Sequence, residues 1–268
     1  MDELRRFYLR HPILRTPVVR FRHRRLSPHD ALVVSYPRSG STWFRFMVFE
    51  CLSGAPSEFS LVQPGIPAIG RHFYAPRLLP EGGRLIGSHE TYCDRDRKVL
   101  YLVRDPRSLV LSGYSLQRRQ ETFDGDLDDF VREFVRGKAS PFGSWAHHVS
   151  YWLSSVPARS GNLMLIKFEE LRRDPHQVLA ETFRFLDVPM KADVIDRAVE
   201  NNTVTKMRAK EDRAPKEIFR RAKAHDIRFV NRGSVSGWKQ ELTSEQTDAI
   251  ERHATVPLQR LGYAVGTR

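Results

Sequence analysis

Four short runs of apolar and β-branched residues, at 31–36, 85–88, 99–103 and 163–167, alternate with longer stretches whose apolar positions recur at helical spacing. The helical stretches fall at 43–52, 108–119, 127–136, 144–154 and 175–186. The short runs are apolar throughout rather than at every second position, which predicts strands covered on both faces. Asp105-Pro106 and Asp174-Pro175 each read as an N-cap followed by a first helical proline. Thr243-Ser244-Glu245-Gln246 is a capping box that opens a last helix to about Leu261. The pattern predicts an α/β fold, a P-loop-like parallel sheet flanked by helices on both faces, as a single domain over 31–268. Residues 1–30 form a basic N-terminal arm, and residues 53–83 a long Pro- and Gly-containing excursion.

The first strand runs into Pro37-Arg38-Ser39-Gly40-Ser41-Thr42 and then into a helix that begins near Trp43. Such a junction is a cradle for a phosphate-like anion, because free N–H groups and the positive end of the helix dipole converge there. Gly40 permits close approach of the backbone, Ser39, Ser41 and Thr42 carry donating hydroxyls, and Arg38 adds a fixed cation. The loop lacks the first Gly and the Gly-Lys pair of a Walker A motif, which argues against an ordinary NTPase.

Tyr36-Pro37-Arg38-Ser39-Gly40-Ser41-Thr42-Trp43 resembles the 5′-phosphosulfate loop of sulfotransferases that use 3′-phosphoadenosine 5′-phosphosulfate (PAPS). That family's pattern is Tyr-Pro-Lys-Ser-Gly-Thr-Thr-Trp, with Arg for the Lys in many members. Two further segments match in order. Arg104, at a strand end, and Ser112, eight residues on, resemble the pair that holds the 3′-phosphate of PAPS. Asn231-Arg232-Gly233-Ser234-Val235-Ser236-Gly237-Trp238-Lys239 is similar to the family's C-terminal Arg-Lys-Gly-x-x-Gly-Asp-Trp-Lys, with Arg232 and Gly233 on its Lys-Gly pair. Asn231 stands where the family often has Arg, and the second glycine is shifted by one residue. The resemblance spans about 31–263 and implies a single sulfotransferase domain with PAPS as donor.

By the same resemblance His89, closing Arg84-Leu85-Ile86-Gly87-Ser88-His89, is the general base, and Arg38 stabilises the departing phosphate. Gly87 replaces a Lys found in many relatives, so one cation near the sulfate is missing. Trp43, Thr203 and Met207 would lie beside the adenine, the charged stretch 206–228 would be a lid, and 53–83 a wall of the acceptor pocket. The acceptor is read as a small molecule, a glycan or a lipid-like hydroxyl compound. No metal is expected, because the donor is already activated and protein cations carry the charge.

Composition adds three points. A net charge of +12 suits an anionic ligand, and leaves open peripheral contact with anionic surfaces; specific nucleic-acid binding is not expected. The eight arginines before Leu26 read as a solvated arm. Cys51 and Cys93 are too few for a disulfide framework, and no apolar run approaches the roughly 20 residues of a membrane helix, so a cytoplasmic protein is expected. Asp124-x-Asp126-x-Asp128 opens like a calcium loop but has Asp129 at the Gly position, and adjacent His147 and His148 lack ligands at metal spacing. Two other classes stay open at this point: an ATP-dependent small-molecule kinase and a basic nucleic-acid-binding module.

Overall fold

A computed structural model describes residues 12–219, 228–230 and 233–266. Its centre is a parallel sheet of β1 (Ala31–Ser35), β2 (Leu85–Ser88), β3 (Val99–Val103) and β4 (Leu163–Lys167), in the order β2-β1-β3-β4. β1 pairs Ala31 with Leu85 on one side and Leu32 with Val99 on the other. The chain leaves β1 for the strand on one side and then crosses to the other. The ends of β1 and β3 therefore frame the topological switch point, where open α/β sheets bind ligands.

Alternate residues of the strands enter two cores. Val33, Leu85, Leu100 and Leu102 pack with Phe44, Met47, Leu179 and Phe183. Leu32, Val34, Tyr101 and Val103 pack with Leu109, Phe130, Trp145, Trp152 and Leu258. Helices therefore cover both faces, as the uniformly apolar strands require.

The chain enters through a helix α1 (Pro12–His23) that the Arg-rich sequence did not signal. Arg15 and Arg22 on it are ion-paired at 2.6 and 2.8 Å with the fully buried Glu90, so the solvated reading fails for these two arginines. After β1 comes α2 (Ser41–Ser53), which starts two residues earlier than the apolar pattern suggested. The excursion contains a helix α3 (Phe59–Gly65) and two short 3-10 turns. Asp105 caps α4 (Pro106–Arg119) by accepting from the Arg107 N–H, as the Asp-Pro pair predicts. Asp126 caps α5 (Leu127–Val135), which accounts for the calcium-like acidic turn as a helix start.

Helix α6 (Trp145–Leu153) precedes β4, and α7 (Phe168–Arg173) and α8 (Pro175–Phe185) follow it. Then come α9 (Ala192–Asn201) and α10 (Val204–Arg213), both unforeseen, and, beyond a one-turn helix at Trp238–Glu241, α11 (Ser244–Arg260), which carries the full Thr243/Gln246 capping box.

The entry to β1 is fixed by a buried pair. Asp30 accepts from Arg84 Nη2 at 2.6 Å and from Arg84 Nε at 3.1 Å, and both side chains are almost wholly enclosed. Burial alone would raise the Asp30 carboxyl, but the Arg84 side chain and the N–H groups of Ser27 and Arg84 outweigh it and hold it below the usual range. Asp30→Ala would leave a buried guanidinium without its carboxylate. We expect a loss of about 3–5 kcal/mol in urea unfolding at neutral pH, the usual effect of breaking a buried pair from one side.

Candidate active site

The loop after β1 is shaped by two left-handed residues, Arg38 with φ 73° and Gly40 with φ 89°. Gly40 is the N-cap of α2, and a Cβ there would lie 2.4 Å from Phe168 Cδ2, so only glycine fits. The first intrahelical bond runs from the Phe44 N–H to the Gly40 carbonyl, which leaves the preceding N–H groups of Ser41, Thr42 and Trp43 at the helix mouth.

This mouth opens into a cavity of about 910 Å³ that brings together Arg38, Gly40, Ser41, Thr42, Trp43, His89, Arg104, Ser112, Met207 and Gly233. Segments more than 190 residues apart thus converge, as three strand-end motifs should at a switch point. Three expected residues stand differently. Ser39 is fully buried behind the loop, with its N–H on the Tyr36 carbonyl and its hydroxyl unpartnered. Thr203 is exposed and caps α10 by accepting from the Lys206 N–H; its neighbour Val204 lines the cavity instead. Arg232, with Asn231, lies outside the described residues.

The cations of the cavity are held by neutral groups. Arg38 donates through Nε to Ser112 Oγ at 3.0 Å and through Nη2 to the Phe229 carbonyl at 3.2 Å. Burial, with Arg104 and Arg119 nearby, lowers its pKa to about 10. Arg104 donates to the carbonyls of Arg38 and Ser234 at 3.3 and 2.9 Å and lies over the Phe168 ring, while its buried Nε has no partner. Ser108 Oγ donates to the Val235 carbonyl, so one helix start and one strand end fasten the 234–235 segment over the cavity.

Trp43 and Met207 share a wall because α2 and α10 are tied through buried polar groups. Glu50 accepts from Ser57 and Asn202, and Lys210 donates to Ser57 and to Asn202. The Trp43 indole N–H donates to the Asn202 carbonyl at 2.6 Å, with the Arg172 guanidinium against its ring.

His89 is oriented by the backbone. Its Nδ1 lies 2.6 Å from the Ser35 carbonyl oxygen. A carbonyl can only accept, so Nδ1 carries the proton and Nε2 bears the lone pair. Burial lowers the pKa of this ring below 6.5, which favours the neutral form.

No motif along the chain points to what holds this residue. His148, dismissed as one of an adjacent pair, is fully buried and sits 2.9 Å from the Tyr101 hydroxyl and 3.3 Å from the His89 carbonyl. Burial lowers its pKa to about 3, so it stays neutral. Arg45 and Glu211 were also missed. Glu211 accepts from Arg119 at 2.7 Å and from the N–H groups of Phe229 and Val230 at 2.7 and 2.8 Å, fixing the segment that Arg38 touches.

A second cavity of about 930 Å³ adjoins the first. Thr42, Leu116 and Phe229 line both, and the excursion contributes Val62, Ala68, Ile69 and Arg71 to its wall. Arg45 enters it from α2, and a Cβ at Gly87 would lie 3.8 Å from the Arg45 Cζ.

A parallel sheet with an anion cradle at its switch point, a neutral histidine at the next strand end and cations over the cradle define a group-transfer site for an anionic donor. Residues 81–262 match the family model described as the sulfotransferase domain, and the chain belongs to this family. It is a sulfotransferase, an enzyme that moves a sulfuryl group to an acceptor. It is 25% identical over 239 residues to mouse sulfotransferase 2A1, covering 83% of this chain and 82% of that protein. With human sulfotransferase 2B1 the identity is 27% over 241 residues, covering 83% of this chain and 64% of the other. Mouse sulfotransferase SULT7A1, solved in complex with PAP, superimposes with a TM-score of 0.69 at 20% identity over 91% of this chain and 90% of that one. Retinol dehydratase, solved with retinol and PAP, gives 0.69 at 17% over 94% and 88%. These likenesses carry the fold.

Gly40→Ala should destabilise the protein by at least about 1–2 kcal/mol, because an L-residue is forced into a left-handed conformation against Phe168. Chemical denaturation measures this, and Gly54→Ala is the control. Gly54 also has positive φ, but a Cβ there meets nothing within 4 Å.

Proposed function

We propose that this chain transfers the sulfuryl group of PAPS to an acceptor hydroxyl, with His89 as general base and Arg38 at the leaving group. The observation that carries the reading is the contact of His89 Nδ1 with the Ser35 carbonyl. With the proton on Nδ1 fixed by the Ser35 carbonyl, Nε2 is ready to accept a proton beside the cradle of Gly40, Ser41 and Thr42. The acceptor O–H gives its proton to Nε2 as its oxygen forms the new bond to sulfur. The bond from sulfur to the 5′-phosphate oxygen breaks, and that oxygen leaves with the electron pair. Arg38 and the N–H groups at the start of α2 meet the charge that develops there.

The residues present fit such a donor. The glycine cradle admits a phosphate-like group, and the unpartnered Nε of Arg104 gives a buried donor for a second one. In this reading Arg104, Ser112, Arg232 and Gly233 hold the 3′-phosphate, and Trp43, Thr203 and Met207 flank the base. Thr203 would act through the start of α10, since its hydroxyl caps that helix. Ser39 would shape the loop from beneath it. The PAP in the solved relatives supports this donor. The second cavity takes the acceptor, consistent with retinol and androsterone in structures of retinol dehydratase. The transferase domain spans 31–268, preceded by the basic arm. Free Cys51 and Cys93 suit a reducing, cytoplasmic setting.

His89→Ala should lose about 10²–10³ in turnover with a responsive acceptor, while affinity for adenosine 3′,5′-bisphosphate stays near wild type. The acid limb of the wild-type rate should have its midpoint below 6.5, because burial disfavours the imidazolium and only the neutral ring accepts a proton. Near-normal turnover of His89→Ala would remove the residue from the mechanism.

The donor assignment has its own test. Calorimetry should show adenosine 3′,5′-bisphosphate binding well ahead of ATP, and Arg104→Ala should weaken it by about 1.5–3 kcal/mol, the worth of a charged hydrogen bond. ATP binding as tightly would favour a kinase.

A further inference from the structure

The second cavity holds more positive charge than its walls neutralise. Arg22, Arg45, Arg71 and Arg119 all line it, and Glu217 is the one carboxylate among the described lining residues. Two of the four arginines are accounted for: Arg22 is paired with Glu90 at 2.8 Å and Arg119 with Glu211 at 2.7 Å. Arg45 and Arg71 have no carboxylate in ion-pair contact among the described residues.

Arg45 is the unusual one. Its Nη2 donates to the Ile66 carbonyl, and its fully buried Nε has no partner among the described residues. A guanidinium taken from water with one peptide carbonyl for company is costly unless something anionic completes it. Its place is defined by the absence of a side chain at Gly87, where anything longer than a methyl group would press on the guanidinium. The sequence showed a cation missing at 87; the fold sends one in from α2 instead, on the side of the second cavity.

The opposite wall is aromatic. Phe59 makes edge contacts with Phe219 and Phe229, with ring centroids 5.1 and 6.3 Å apart. The cavity therefore pairs apolar ring faces with two uncompensated cations. Thr42 and Phe229, shared with the donor cavity, mark where an acceptor must approach sulfur.

We propose that the acceptor is an amphipathic hydroxyl compound that carries its own anionic group, a carboxylate or a phosphate or sulfate ester, and that Arg45 and Arg71 bind that group. This rests on the reading of the second cavity as the acceptor site. Arg45 lines the second cavity and not the first, so its guanidinium is available to a ligand of that cavity. The anion sits against Arg45 and Arg71, the apolar part lies on the Phe59 and Phe229 rings, and the hydroxyl reaches past Thr42, which lines both cavities, toward His89 in the first.

The test uses a matched pair of probes, 4-hydroxyphenylacetate and its neutral amide, which share one phenol. Affinities are measured by calorimetry on protein saturated with adenosine 3′,5′-bisphosphate, and turnover is followed in parallel with PAPS. The carboxylate should bind at least roughly tenfold more tightly than the amide, as one charged hydrogen bond to a guanidinium implies. Arg45→Gln and, separately, the exposed Arg71→Gln should bring the ratio of affinities toward one. Thermal melts confirm that each variant is folded, and the Arg71 variant gives an answer even if Arg45→Gln does not fold.

Equal affinities for the two probes, or none for either, overturn the proposal. So does an Arg45→Gln enzyme that slows both probes alike with the ratio intact, since the cation would then serve the sulfuryl group. A carboxylate that binds in preference without turnover would leave the anion site standing and count against the transfer reading. Turnover of the amide in preference would do the reverse.

Discussion

Among the described residues, three guanidinium groups, those of Arg38, Arg45 and Arg104, are partly or wholly buried near the cavities without a carboxylate in ion-pair contact. Each leans on peptide carbonyls: Arg38 on Phe229, Arg104 on Arg38 and Ser234, and Arg45 on Ile66. The contrast with the structural arginines is sharp. Arg84 has Asp30, Arg107 has Asp105 and Glu251, and Arg119 has Glu211, each within 2.7 Å. A carbonyl dipole offsets only part of the cost of burying a cation, whereas a carboxylate or phosphate offsets much more. The fold therefore sorts its arginines by partner. Those with carboxylates hold elements together, and those without are left with binding capacity for an anion. Burial lowers the pKa of all three members of the second group, which is the same imbalance expressed as proton affinity.

Around His89 the arrangement is the opposite, because the base proposed there must be kept uncharged. Its ring is fixed through Nδ1 by Ser35, its carbonyl is reached by His148, and the next residue, Glu90, is clamped by Arg15 and Arg22. The Trp152 indole donates to the Glu90 carbonyl. Helix α1, which the sequence pattern passed over, thus acts on the strand end that carries the histidine. Arg15 also donates to the Pro141 carbonyl and lies near the ring of Phe142, whose centroid is 5.4 Å from that of His89.

Much of this was legible in order along the chain. The strands, the Asp-Pro caps, the capping box and the cradle are local, and each rests on residues within a few positions of one another. Most of the matched motif residues meet in one cavity because strand ends at a switch point must. What stayed hidden depends on contacts across the chain. Thr203 belongs to a matching segment, but its hydroxyl is claimed by the start of α10, a helix the charged composition disguised. Ser39 lies in the loop but faces inward, since the positive φ of Arg38 turns the backbone there. Arg45 lies in what read as an ordinary helix, and only the pairing of β1 with β2 brings Gly87 beside it. His148 looked inert because its neighbour is His147; the relevant partner is 59 positions away.

The two cavities are not independent, and Phe229 shows why. Its ring packs on Phe59 and Phe219 in the wall of the second cavity, its carbonyl accepts from Arg38, and its N–H donates to Glu211. Glu211 in turn neutralises Arg119, and Arg119 is one of the two cations that lower the pKa of Arg38. One residue therefore touches the wall of the second cavity with its side chain and Arg38 with its backbone. Moving that residue would release a hydrogen bond from Arg38 and uncover a buried carboxylate together. The contacts that hold Phe229 in the wall of the second cavity also hold Arg38 over the cradle. Packing in one cavity and cation placement in the other therefore depend on the same residue.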